Sequence, residues 1–364
     1  MNLSINSPTL VLDKQKAQKN IHLLASKAKD KGIKFRPHFK THQSLEVGNW
    51  FREFDIDGIT VSSLKMAEFF SDDGWDSITV AFPVNLLEIE RINKLASNID
   101  LRILSVDLDT LQKLESNLSS SLGIYLEIDP GYGRSGIPLS EQDKISRIIE
   151  FISDSDLLEP MGFYCHAGHS YNCRSEAEIK ALSVPIVKQL SNLKAKYNLP
   201  VCFGDTPSCS VLEDFGSIKE MSPGNFVFYD WIQTKISSCE PSQIAVVMYC
   251  PVVAKYGTRN ELLIHGGAIH FSKDSDISEN NTPYYGRLVT RESNKWGNVI
   301  EGCYLKSISQ EHGIVKCTPE FFSDINVGDV VVIFPIHSCL TADLMGRYQT
   351  TEGDHISHMS KNYK

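Results

Sequence analysis

Short β-branched runs alternate with longer amphipathic stretches eight times before about Asp230, and beyond that point strand patterns continue without helices between them. These two observations predict an α/β fold, a (β/α)8 TIM-type barrel followed by a smaller C-terminal β domain. A third observation agrees with them. The polar residues that interrupt the patterns follow strands and do not precede them, as barrel catalytic groups do.

In chain order, a helical pattern over 14–31 leads into a strand over 33–39. Further strands are expected over 58–62, 77–82, 101–106, 123–128, 160–165, 200–203 and 217–221. Helical patterns over 63–72, 85–96, 110–118, 175–196 and 208–214 separate them. The segment around 9–12 reads as a strand that either domain could own. After a Ser/Pro-containing linker over 236–242, strands are expected over 243–254, 261–269, 286–290, 314–316 and 329–334. The expected domains are therefore a barrel over 1–235 and a β domain over 236–364.

At 364 residues the chain can bury a sizeable interior. Its net charge of −9, without any long basic cluster, excludes a nucleic-acid or anionic-membrane surface and leaves a small-molecule enzyme as the expectation. Nine cysteines without CxxC pairs, and no N-terminal apolar segment, predict reduced thiols in a cytoplasm. No window is apolar enough for a membrane span.

The chemistry concentrates in a few runs. In Pro37-His38-Phe39-Lys40-Thr41-His42 a lysine stands at the end of the first strand between two histidines, expected on one face of an extended chain. Desolvation and cationic neighbours free the nucleophilic amine of such a lysine. Arg134 follows the fifth strand within Asp129-Pro130-Gly131-Tyr132-Gly133-Arg134-Ser135-Gly136, and His166, His169 and Tyr171 follow the sixth. The histidines suit a general base, a proton relay, a cofactor-stacking group or a structural role. Gly204-Asp205-Thr206-Pro207-Ser208 and Ser222-Pro223-Gly224-Asn225 follow strands seven and eight, where this fold most often holds phosphate. A lysine, an arginine and a phosphate cradle at one barrel mouth are the parts that hold pyridoxal phosphate.

Far along the chain, Phe334-Pro335-Ile336-His337-Ser338-Cys339 places imidazole and thiol two residues apart, on one side of an extended strand. That donor set favours zinc, or else marks two buried core residues. Glu311-His312 is either a second acidic-histidine pair or a hairpin turn with an ion pair. The Gly131-x-Gly133-x-x-Gly136 spacing mimics a dinucleotide fingerprint but lacks its strand-one placement and acidic partner.

Taken in order, Pro37-His38-x-Lys40-Thr41-His42, Asp129-x-Gly131-x-x-Arg134-x-Gly136, Gly204-x-Thr206-Pro207, Pro223-Gly224-Asn225, Glu311-His312-Gly313 and His337-x-Cys339 resemble the D-serine dehydratase and D-threonine aldolase group, related to the alanine racemase barrel. The resemblance runs over nearly the whole chain. It implies Lys40 as the cofactor-bearing lysine, Arg134 facing the cofactor's phenolic oxygen, and Thr206, Gly224 and Asn225 contacting the cofactor or its phosphate. It also implies Tyr164 and Tyr171 as cofactor-contacting tyrosines, and His337 and Cys339 as ligands of a divalent metal, zinc. The activity implied is a lyase on β-hydroxy D-amino acids. His-x-Cys resembles the dehydratase metal pair and His-x-Asp the aldolase pair, so Cys339 points to dehydration of D-serine. Aldol cleavage of D-threonine or another 3-hydroxy-D-amino acid is the alternative, ahead of a racemase or a non-catalytic pyridoxal phosphate protein. A homodimer is implied by the same resemblance.

Overall fold

A computed structural model of the protein describes residues 3–278 and 281–359, which divide by their contacts into two units. One comprises His22–Lys40 and Gly48–Gly224. The other comprises the described residues of Met1–Ile21, Thr41–Val47 and Asn225–Ser360.

The first unit is built on eight parallel strands, Lys34–Phe35, Ile59–Val61, Ser77–Pro83, Asp100–Ser105, Leu122–Asp129, Leu158–His166, Val201–Gly204 and Glu220–Met221. Their spatial order follows the chain, and the eighth pairs with the first through Glu220 opposite Lys34. A parallel bridge between His38 and Thr60 joins the first strand to the second, so the sheet closes as the alternation predicts. Helices lie between strands and begin at side-chain caps: Ser63, Asp107, Ser175 and Asp205 accept from the backbone N–H groups of Met66, Thr110, Glu178 and Ser208. The helix Gln142–Ser153, absent from the expected set, buries Ile145, Ile148 and Ile152 along one stripe.

The expected strand over 33–39 is a correction. Only Lys34–Phe35 is strand, and Phe39–Thr41 is a single 3₁₀ turn. Pro37 offers no N–H to a ladder. Beyond it the Phe39 ring is fully buried against Phe51, Phe70 and Trp75, with centroids 5.0, 5.0 and 5.2 Å away. His38 and His42 therefore do not share one face of an extended chain.

Arg36 is wholly buried. Its Nε lies 3.0 Å from Glu220 Oε1, its guanidinium also donates to the Ser77 carbonyl at 3.0 Å, and Tyr125 donates to the same Glu220 oxygen at 3.2 Å. A Cβ on Gly58 would stand 2.3 Å from Arg36 Nη1, so this position has room only for glycine. Arg36→Leu leaves Glu220 buried without its cation and is expected to cost about 3–5 kcal/mol. Urea unfolding checks it, and a loss below about 1 kcal/mol would show that the network is dispensable.

The second unit holds a nine-stranded sheet in the order Glu261–His265, His312–Lys316, Lys295–Ile308, Gly286–Glu292, Val330–Pro335, Val246–Tyr256, Thr9–Leu12, Arg347–Thr350 and His355–Ser357. Val246–Tyr256 also pairs with Glu261–His265, so six of these strands close on themselves. The unassigned N-terminal strand belongs here, antiparallel to Val246–Tyr256 and parallel to Arg347–Thr350. Val246 to Cys250 are buried without alternation, as expected of a strand covered on both faces.

Candidate active site

In the barrel unit Lys40, Arg134, Tyr171 and Thr206 lie on the segments that follow the first, fifth, sixth and seventh strands. Lys40 sits on the 3₁₀ turn that the buried Phe39 anchors, and its backbone N–H lies 3.4 Å from His38 Nδ1. His166 closes the sixth strand. Its Nδ1 is 2.8 Å from the Gly204 carbonyl, which can only accept, so the neutral ring carries its proton there and keeps Nε2 as an acceptor. Burial, then the charges of Lys40 and Arg134, push His166 down to about 3, and burial with Lys40 and His166 lowers His38 as well. Both histidines beside the lysine are therefore neutral at physiological pH.

Arg134 rides on the glycine-rich loop after the fifth strand. That loop is held by Asp129, whose Oδ1 accepts from the N–H groups of Gly131, Tyr132 and Gly133. Gly131, Gly133 and Gly136 all have positive φ, so the three glycines serve the backbone turn. The Arg134 side chain is half exposed, 3.9 Å from Glu127 Oε1. The Tyr132 ring on the same loop stacks on His169 at 5.8 Å and occupies the space a side chain at Gly168 would need.

Tyr164 lies lower, in the barrel interior with Leu104, Tyr125 and Cys202. It hydrogen-bonds Ser222, and burial holds its hydroxyl protonated. Tyr171 is on the 3₁₀ turn Gly168–Asn172, its ring 6.4 Å from that of His166. Asp205 caps the helix Thr206–Val211, accepting from Ser208 N–H at 2.7 Å and Ser170 Oγ at 2.8 Å, while burial raises its carboxyl to about 6. Thr206 is fully buried, and its Oγ1 has no hydrogen-bond partner among the described residues. A Cβ on Gly204 would lie 2.7 Å from the Ser222 carbonyl, so these two loops approach as closely as backbone permits. An amine, a guanidinium and an unsatisfied buried hydroxyl fit the aldehyde, phenolic oxygen and phosphate of pyridoxal phosphate.

In the second unit His337 and Cys339 are not on an extended strand. The strand ends at Pro335, His337 is the N-cap of helix Ser338–Met345, and Cys339 lies in its first turn. The two side chains nevertheless meet in a hydrogen bond. His337 Nδ1 is 2.6 Å from Asp274 Oδ2, which fixes the proton on Nδ1 and presents Nε2 as a ligand atom. Cys339 Sγ lies 3.3 Å from Thr41 Oγ1 and 3.5 Å from Asn225 Nδ2. Burial alone would raise this thiol, but the bond and charge of His337, with the Thr41 hydroxyl, hold it below its ordinary range. Burial would likewise lower His337; Asp274 and Cys339 raise it well above the usual imidazole range. Imidazole and thiolate with outer hydrogen bonds already in place fit a zinc ion.

The side-chain amide of Asn225 donates to Asp230 at 2.6 Å and to Ser338 at 3.1 Å, as well as to Cys339. Asp230 in turn accepts from the Ser338 N–H at 2.9 Å, tying the helix start that carries Cys339 to the Asn225 loop. Asp274 and Asp230 were not among the expected site residues. Asp230 carried a helix-cap signal in sequence; Asp274 carried none. Glu311 pairs with His265 at 3.5 Å and His270 at 3.9 Å, and not with His312. Ligand atoms of these three residues lie within 4.8 Å of one another. The Gly267 N–H donates to His270 Nδ1 at 3.1 Å, so a neutral His270 carries its ring proton on Nε2, the atom nearer Glu311. Among the described residues no helix is long and apolar enough to cross a membrane.

Comparison with known proteins agrees with both units. Residues 12–209 match the family model "Alanine racemase, N-terminal domain", and residues 245–351 match "Putative serine dehydratase domain". The chain is similar to D-serine dehydratase of Dictyostelium discoideum, at 28% identity over 96% of this chain and 94% of that protein. It is 25% identical to D-threo-3-hydroxyaspartate dehydratase of Delftia sp. over 97% of this chain and 96% of the relative. A variant of D-threo-3-hydroxyaspartate dehydratase in its metal-free form superposes with a TM-score of 0.89 at 22% identity, covering 98% of both chains.

Proposed function

The chain belongs to the family of the alanine racemase N-terminal domain, and on that premise we propose that it is a D-serine dehydratase, a pyridoxal 5'-phosphate- and zinc-dependent lyase releasing pyruvate and ammonia. The observation that carries the proposal is similarity to a D-serine dehydratase over nearly the full length, in a chain that has a lysine on the turn after the first barrel strand and a paired imidazole and thiol.

Bound pyridoxal phosphate supplies an electron sink for the charge left when a proton departs from the substrate α-carbon. Lys40 would hold the cofactor through Nζ, and the same atom, when free, would take the α-proton. His166 stays unprotonated at Nε2 because burial, and then the charges of Lys40 and Arg134, oppose a second proton, while Gly204 keeps the ring's one proton on Nδ1. Arg134 would face the cofactor's phenolic oxygen. Thr206 would donate its otherwise unused hydroxyl hydrogen to the phosphate, and Gly224 and Asn225 are the further expected cofactor contacts. Tyr164 and Tyr171 complete the cofactor contacts. His337 and Cys339 would hold a zinc ion, which would supply a Lewis acid for the leaving β-hydroxyl. Asp274 keeps His337 in the tautomer that offers Nε2, and Thr41 and Asn225 steady the sulfur.

The test is a paired assay. D-serine is expected to yield pyruvate and ammonia in equal amounts, with the activity lost to a chelator and restored by zinc. Glycine and acetaldehyde from D-threonine, with no pyruvate from D-serine, would overturn the reading in favour of an aldolase. D-threo-3-hydroxyaspartate as the better substrate would keep the reaction and move the specificity. We further propose a cytoplasmic homodimer, which sedimentation of the purified protein checks directly.

A further inference from the structure

We propose that Cys303 and Cys317 form a reversible disulfide when the protein meets a peroxide, clamping the base of the hairpin made by Lys295–Ile308 and His312–Lys316. In the antiparallel register Tyr304 stands opposite Lys316, so the next pair outward is Cys303 opposite Cys317. Residues directly opposite in such a pair have Cα atoms about 4.5–5.5 Å apart, inside the span a disulfide bridges. The two thiols already hydrogen-bond each other. The Thr318 N–H also lies 3.4 Å from Cys303 Sγ, so both donors converge on that sulfur. The Cys317 bond and the Thr318 N–H hold the Cys303 thiol below its usual range, and the bond to Cys303 raises Cys317. Cys303 is thus the attacking sulfur and Cys317 the resolving one.

The chemistry closes with peroxide as the oxidant. Cys303 sulfur attacks one peroxide oxygen; an S–O bond forms, the O–O bond breaks, and the departing hydroxide leaves as water with the thiol proton. Cys317 sulfur then attacks Cys303 sulfur; the S–S bond forms, the S–O bond breaks, and a second water leaves. Both sulfurs are oxidised and both peroxide oxygens reduced. Each cysteine is buried, which confines the reaction to small oxidants and keeps larger disulfides from exchanging with the pair.

The experiment treats the metal-loaded, cofactor-loaded full chain with hydrogen peroxide and maps its peptides without reduction. A linked peptide joining Cys303 to Cys317 is expected, together with loss of two titratable thiols and a higher thermal midpoint, all reversed by dithiothreitol. Cys303→Ser and Cys317→Ser are each expected to abolish the linked peptide and the midpoint rise, with dehydratase activity unchanged. Recovery of both cysteines as alkylatable thiols after other cysteines have oxidised would overturn the proposal. So would their recovery as separate sulfinic acids. Because the wild-type map alone can do this, the inference stands or falls even if a variant does not fold.

Discussion

Lys40→Ala is expected to lower D-serine turnover by roughly 10³-fold or more, and to yield a folded protein without the visible absorbance of bound cofactor. The size of the effect follows from the two duties of one atom. On the proposed reading, Lys40 Nζ would both tether the cofactor and take the substrate proton. Phe39 supplies the anchor through its three aromatic neighbours, so truncating the adjacent lysine leaves the packing intact. Retained colour or retained turnover in the alanine variant would remove Lys40 from the cofactor site. Melting temperature near wild type is the necessary companion measurement, because it separates loss of chemistry from loss of fold.

The second large effect is expected at the proposed metal pair. Cys339→Ala and His337→Ala are each expected to purify without zinc while keeping the cofactor colour, and to lose on the order of 10²-fold or more in dehydration rate. Asp274→Asn is expected to weaken metal binding by about 10–100-fold without removing a ligand, since it disturbs only the partner of His337 Nδ1. A competing chelator titration followed by metal analysis measures all three. Zinc content unchanged in Cys339→Ala would place the metal elsewhere. The structure makes Cys339 the more informative position, because Thr41, Asn225 and His337 all direct their hydrogen bonds to its sulfur.

Much of this protein was legible from its sequence because the signals involved are local. A period of two or 3.6 residues marks each strand or helix without reference to the rest of the chain, and the β/α alternation followed by a β-rich region determined the fold class. Lys40, Arg134 and Thr206 stood out because each follows a strand, and His337 and Cys339 because their spacing is short. Such patterns say that residues are present; they do not say how the chain between them bends. The two short motifs were expected as extended strands, yet Phe39–Thr41 is a 3₁₀ turn and His337 caps a helix. Pro37 and a buried aromatic ring decided the first case, and the interrupted strand after Pro335 the second.

Only the tertiary structure could decide which distant residues complete each group. Asp274 precedes His337 by 63 positions and Thr41 precedes Cys339 by 298, separations over which no periodic pattern extends. The same holds for Thr9–Leu12, which reads as a strand in sequence but takes its place only from pairing with Val246–Tyr256 and Arg347–Thr350. Sequence determined the elements and the reactive side chains, through local propensity and hydrophobic period. Packing determined their partners, tautomers and charge states, because burial and hydrogen bonding depend on contacts that exist only once the chain has folded.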